Sequence, residues 1–466
     1  MFVARSRWRL ERASGPEPSV GAAARVRPGG GASVRSEVVV VGAGVVGSSI
    51  ALDLARGGYG VLVVDKAGGV GHGSTSASSA VVRFNFSTWA GVAGAWESRA
   101  AWERWDEHLG GADPAGTARY VRTGLAALDV DAAPRSTYLP FFDDAGIPYE
   151  EWDADTLARR VPGIDNGRYW PPRRIDDERF WADARSRLGA VFTPDAGYVS
   201  DPQLAAQNLA TAARRHGAEF LLRRAVTGIG CRHGRTSEVR LDDGTRVSCS
   251  IVVNAAGPWS ATVNALAGVG SDFTVRTRPL RQEVAHVAAP RGYNASGTAG
   301  TSLADLDLGI YVRGEVGDGM LVGGTEPECD PFDWVDSPDD VDPAPTAAVF
   351  QAQVTRAARR LPDLGVPNRA RGVVGVYDVA DDWTPIYDRT GLPGFYVAIG
   401  TSGNQFKNAP VVGRFMRTII ECVENGVDHD TTPARFTAPL TGATIDLGAF
   451  SRRRPVGPGG PGTVMG

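Results

Sequence analysis

The chain has 466 residues, of which 42% are apolar and 22% charged, and its net charge is −4. That length allows two or three domains at about 100 to 200 residues each, and the composition excludes wholesale disorder, collagen-like sequence and a coiled coil. Residues 1–35 hold seven arginines against two glutamates, which leaves the rest of the chain near −9 and a poor partner for nucleic acid.

In chain order, residues 1–35 are rich in Arg, Gly, Ala and Pro without an apolar period and are expected to be disordered; their arginines suit a transit peptide, Glu11, Glu17 and the prolines do not, and a misassigned start codon is an equal reading. The apolar run 38–41 predicts a central strand, 45–56 a helix closed by Gly57-Gly58, and 61–65 a second strand. This strand, glycine turn, helix, strand order is a βαβ unit and requires a parallel sheet. Val92, Trp96, Trp102, Trp105 and Leu109 predict a helix over 88–110. Seven of the eleven tryptophans lie between 89 and 181, a composition that marks another domain.

Asp201-Pro202 opens a helix over 203–216, followed by short strands at 219–222, 238–241 and 251–253. Residues 276–324 read as β-rich, 329–345 as a Pro-Asp loop, 346–360 as a helix, 394–399 as a buried strand and 410–425 as a final helix. The tail 448–466 is expected to be disordered. No apolar run reaches the roughly 18 residues of a membrane helix. Cys231, Cys249, Cys329 and Cys422 are widely spaced and the histidines unclustered, so no metal site is expected and a reducing, cytoplasmic setting is.

Gly42-Ala-Gly44-Val45-Val46-Gly47 follows a strand and opens a helix, the context in which this spacing binds a dinucleotide. Gly42 permits the turn, Gly44 close approach of a pyrophosphate, and Gly47 close packing of helix on strand, while the helix N-terminus attracts phosphate. Asp65 ends the next strand where a carboxylate meets a ribose, with Lys66 beside it. Three more segments suit a long cofactor. They are the small-residue loop 71–80 with Ser74, Thr75, Ser79 and Ala80; 251–260 with Ala256, Gly257 and Trp259; and 400–410 with Gly403, Asn404, Gln405, Phe406 and Lys407. Val226 is expected at the same site.

From about residue 36 to 426 the chain resembles the FAD-dependent D-amino acid oxidase superfamily, which includes sarcosine oxidase, dimethylglycine dehydrogenase and glycine oxidase. The likeness is carried, in order, by GAGVVGSSIALDLARGGYGVLVVDK, GYVSDPQ, VVNAAGPWS, IYVRGEVGDGMLVGG and GFYVAIGTSGNQFKNAP. It implies an α/β fold: a Rossmann-like FAD-binding domain from 36–90, 195–270 and 370–430, with an inserted substrate domain of antiparallel sheet plus helices from 91–194 and 271–369. It also implies removal of a hydride from the carbon next to an amine nitrogen, leaving an imine that water hydrolyses. The flavin carries that chemistry and the protein supplies position and charge.

On the same resemblance, Arg83 matches the arginine that binds the substrate carboxylate in sarcosine oxidase, and Lys407 the lysine that assists it. Only one other lysine, Lys66, exists in the chain. Tyr377 matches a pocket tyrosine of sarcosine oxidase, which favours a secondary or tertiary amine such as sarcosine or dimethylglycine. Tyr311 and Arg313 lie on a strand that faces the flavin in relatives. Phe84, Phe86 and Trp383 are candidates for a cation-π wall around a methylated ammonium. Gly375 and Ala77 stand where relatives carry flavin-linking residues, so the FAD is expected to be non-covalent, with His72 the sole nearby candidate for a link. No lysine occurs near 320–322, where sarcosine oxidase uses one to activate oxygen, and this tilts the expectation toward a dehydrogenase. The acceptor, oxygen or a carrier protein, is left open. Alternative readings are a D-amino acid or glycine oxidase, a hydroxy acid dehydrogenase on the same scaffold, and a flavin-bearing subunit of a complex.

Overall fold

The computed structural model describes residues 33–456 except residue 296. The disorder expected for 1–32 and 457–466 lies outside the described residues. At both ends the chain is ordered further than expected. Ser33–Arg35 is a strand, paired in parallel with Arg246–Ser248. At the other end Leu447–Phe450 forms a 3-10 turn, and Arg452 is fully buried, its guanidinium bonded to Asp272, Asp388 and Asp430. Three carboxylates offset the desolvation of one guanidinium, and a composition-based reading of SRRRP has no access to such distant partners.

A six-stranded sheet runs in the order Glu219–Leu222, Val61–Asp65, Val38–Val41, Ile251–Asn254, Phe395–Ile399 and Ile386–Arg389. All neighbours are parallel except the last pair. Val38–Val41 is buried on both faces, as parallel strands under helices must be, and each buried valine contributes roughly 1.5 to 3 kcal/mol. Helix Val45–Arg56 packs against helices Pro202–Arg215 and Ala409–Glu424 on one face of this sheet. Asp201 caps the second of these by accepting from Leu204 N at 2.8 Å.

An eight-stranded sheet runs Gly372–Ala380, Thr277–Ala288, Gly319–Gly324, Ile310–Gly314, Ser302–Asp305, Leu125–Leu128, Ala190–Thr193 and Glu150–Trp152. It is antiparallel except where Ser302–Asp305 meets Leu125–Leu128. Helix Ala347–Arg360 covers it with Phe350, Val354 and Ala357, and buried Arg360 is bonded to Asp305 and Asp307.

The structure differs from the expected elements in two places. Gly372–Ala380 falls within 370–430, yet pairs along its whole length with Thr277–Ala288 in the eight-stranded sheet. The helix expected over 88–110 breaks at Arg104 into Trp89–Glu103 and Trp105–Leu109, and its tryptophans join the core under the six-stranded sheet rather than a separate one. Tryptophan enrichment marked bulk, which both cores use.

Candidate active site

Four loops leave the carboxyl ends of the parallel strands, at 42–44, 65–67, 255–257 and 400–403, where open α/β sheets bind ligands. With 72–79 they enclose a cleft of about 420 Å³. Gly42 has φ +110°, and a Cβ there would sit 2.3 Å from Ala255 O; a Cβ on Gly47 would sit 1.9 Å from Gly42 O. Gly42, Gly44, Val45 and Val46 line the cleft, whereas Gly47 lies behind it, holding helix to turn. Thr75 Oγ1 accepts from Val45 N at 3.0 Å, fastening the small-residue loop onto the helix start. Ser74 Oγ donates to Val376 O at 2.6 Å and ties the same loop to the larger sheet.

Asp65 lines the cleft, and its two carboxylate oxygens accept from Ala43 N at 2.6 Å and Ala67 N at 2.7 Å. Each oxygen keeps a lone pair for a further donor. Lys66 lies at the mouth, 4.0 Å over the Trp259 ring and paired with Asp339 of the loop 329–345. Val226, Ala256, Gly257, Trp259, Gly403, Gln405 and Phe406 complete the wall. Ala80, with φ +53°, is buried behind it. Sequence reasoning missed Asp339 and Gln282, which reach the cleft from the larger sheet's segments and carry no local signal.

The residues present fit FAD. Gly42 and Gly44 bring backbone without side chains to the cleft, the first helix turn faces it, and Trp259 Nε1 is a buried donor with no hydrogen-bond partner among the described residues. Gly375 and Ala77 both line the cleft and abut, a Cβ on Gly375 falling 2.9 Å from Ala77 Cβ. His72 lines it too.

A second cavity of about 60 Å³ shares Ser78, Ser79, Tyr377, Gly403 and Phe406 with the cleft. Arg83, Tyr311, Asn404 and Lys407 line it as well. Arg83 is buried, donates to Asn85 O, and lies 5.0 Å from the Phe86 ring; burial pulls its pKa down to about 10. Lys407 Nζ donates to Asn404 O at 2.5 Å, and burial first, then the Arg83 charge, holds its pKa well below the ordinary lysine value. Tyr311 OH shares a 3.0 Å hydrogen bond with Ser79 Oγ. Burial raises both tyrosine pKa values, so each presents a neutral phenol.

Arg313 is placed elsewhere. It donates to Glu315 at 2.7 Å and lies 4.1 Å over the Tyr198 ring, lining neither cavity. The expected aromatic wall is also absent from this lining. Phe84 packs edge-on against Trp96, Trp383 joins Phe332, and Phe86 faces the protein's own cations. Behind Tyr377, Asp378 accepts from Gly400 N at 2.6 Å, and burial raises its pKa to about 7.

Glycine oxidase from Geobacillus kaustophilus is 25% identical over 403 residues, covering 84% of this chain and 95% of its own. FAD-dependent oxidoreductase domain-containing protein 1 from Xenopus laevis is 26% identical, covering 90% and 82%. Among solved structures, L-proline dehydrogenase from P. horikoshii superposes with a TM-score of 0.69 at 22% identity, covering 91% of this chain and 98% of that one. Glycine oxidase from Geobacillus kaustophilus gives 0.67 at 22%, covering 91% and 100%. These structures share the α/β fold. The family model described as DAO, FAD dependent oxidoreductase, matches residues 37–418, and the chain belongs to that family.

Proposed function

We propose that this enzyme oxidises a small amino acid at the carbon next to its nitrogen, with sarcosine-like secondary or tertiary amines preferred, on non-covalently held FAD. One observation carries the reading: a buried guanidinium, Arg83, and a buried amine, Lys407, line a cavity that meets the larger cleft at Tyr377, Gly403 and Phe406. Bound FAD supplies the hydride acceptor. Arg83 holds the substrate carboxylate in a fork and so places the neighbouring carbon at the cleft. The neutral phenols of Tyr311 and Tyr377 close the other side without adding charge. About 60 Å³ has room for a compact side chain only.

The glycine oxidase relative supports a second reading, in which a primary amine is taken instead. The absence of a lysine from Gly319–Gly324 supports a dehydrogenase using an acceptor other than oxygen. The four free cysteines agree with a reducing compartment such as the cytoplasm, and among the described residues no helix is long and apolar enough to cross a membrane. The deciding experiment adds sarcosine, dimethylglycine, proline, glycine and D-alanine in turn to the holoprotein without oxygen. Bleaching of the flavin by a secondary or tertiary amine supports the first reading and bleaching by glycine alone the second. Bleaching by no amine removes both.

A further inference from the structure

Lys407 combines features that a simple clamp does not need. It is 4% exposed, and no carboxylate of the described residues lies within ion-pairing distance of its Nζ. Its neighbours include the Asn404 carbonyl at 2.5 Å, the Phe86 ring at 5.1 Å and the Arg83 guanidinium. An amine buried beside a second cation, with one carbonyl as partner, is costly to keep charged.

The surroundings hold it there rigidly. Trp102 Nε1 donates to Lys407 O at 2.8 Å, and Phe406 stacks on Trp102. Asn404 is locked by Nδ2 donating to Trp383 O at 3.1 Å and by Oδ1 accepting from Gln405 Nε2 at 2.5 Å. Charged groups on the packed elements are engaged elsewhere. On helix Trp89–Glu103, Glu97 accepts from Leu440 N and Thr441 N and pairs with Arg414 of the last helix, while Arg99 pairs with Glu103 and Asp195. Across the cavity stand the phenols of Tyr311 and Tyr377, both within the field of Glu326.

We propose that Lys407 rests as a neutral amine in the substrate-free site and takes the proton from the bound substrate's ammonium nitrogen before the hydride leaves the adjacent carbon. The step is a proton transfer only: one N–H bond of the substrate breaks, one N–H bond forms at Nζ, and no electrons change hands. A substrate carboxylate on Arg83 would add a negative charge near Nζ, so the same molecule that needs a base would make Lys407 a stronger one. The proton returns to solvent as product leaves. This inference rests on the proposed amine oxidation.

The test uses the fact that the chain has two lysines. Holoprotein labelled with 13C at the lysine Cε gives two side-chain signals, and Lys407→Met removes one. At neutral pH in the substrate-free protein, the Lys407 signal is expected at the chemical shift of a neutral amine. A Lys407 signal that is still protonated at neutral pH overturns the proposal. Acetate, a carboxylate without an amine, should draw about one proton per flavin from weakly buffered solution near neutral pH; no uptake by protein that binds acetate overturns it. Lys407→Arg carries a fixed charge and cannot accept a proton, so flavin reduction by the amine that bleaches wild type should slow by about 100-fold or more with FAD content unchanged. A wild-type rate in that variant overturns the proposal, and Lys407→Met serves where the arginine does not fold. Normal lysine titration in protein that amines reduce sinks this inference alone. Low titration in protein that no amine reduces sinks the functional reading, and the proton transfer with it.

Discussion

The larger cleft, proposed to hold the cofactor, and the smaller cavity, proposed to hold substrate, meet at Tyr377, Gly403 and Phe406, yet they are made of opposite materials. The cleft is mostly backbone: glycines without Cβ atoms, a helix N-terminus, and loops at the ends of parallel strands. The cavity is side chains: a guanidinium, an amine and two phenols brought in from segments near 83, 311, 377 and 407. Backbone recognition tolerates little change because any added atom collides, whereas side-chain recognition can be altered one group at a time. Substitutions that respect this difference should split cofactor binding from catalysis.

The largest effect is expected from Gly47→Val. Its Cβ would meet Gly42 O at 1.9 Å, so helix and turn must separate, and the protein should purify without visible flavin absorbance or not fold. Retention of normal flavin content would show that the turn yields more easily than its geometry implies. Next comes Arg83→Ala, which on the proposed function leaves a substrate carboxylate without its fork. The loss should be about 2 to 5 kcal/mol, or roughly 30-fold to several thousand-fold in KM, with FAD binding intact. Steady-state kinetics beside a flavin titration checks both halves.

Asp378 sits between the two regions and gives a pH test. Its folded pKa of about 7 exceeds the ordinary 3.8, so the folded protein keeps a proton the unfolded chain has released. That contribution is complete below about pH 4 and is lost as pH rises through about 7. Denaturation midpoints of Asp378→Asn, followed over that range, should fall less steeply than those of wild type. An identical slope would mean the carboxyl ionises freely. The smallest effect on catalysis is expected from Arg313→Met, since this guanidinium serves Glu315 and Tyr198. KM should stay within about 3-fold while stability falls by about 1 to 3 kcal/mol.

The same contrast explains what could be read from the sequence. The cofactor turn was legible because its requirements are local: glycines at 42, 44 and 47 and an acid at 65 fall within one βαβ unit. Arg83 and Lys407 carry no such mark, being 324 positions apart with nothing in spacing to pair them, and their pairing rests on resemblance alone. Arg313 shows the limit of that route. It shares a strand with Tyr311, yet Glu315 two residues on captures its guanidinium. Asp339 and Arg452 were illegible because their roles depend on partners brought near by the finished fold.

The strand order of the six-stranded sheet also bears on how the chain is made. Val38–Val41 sits beside Ile251–Asn254, which in turn sits beside Phe395–Ile399. Val38–Val41 therefore finds one neighbour, Val61–Asp65, soon after it is synthesised but waits for the other until more than two hundred residues have followed. Such long-range pairing is slow, and a four-valine segment left uncovered on a nascent chain is open to aggregation. Yield of this protein should depend more on chaperone supply and growth temperature during translation than on the stability of the finished fold.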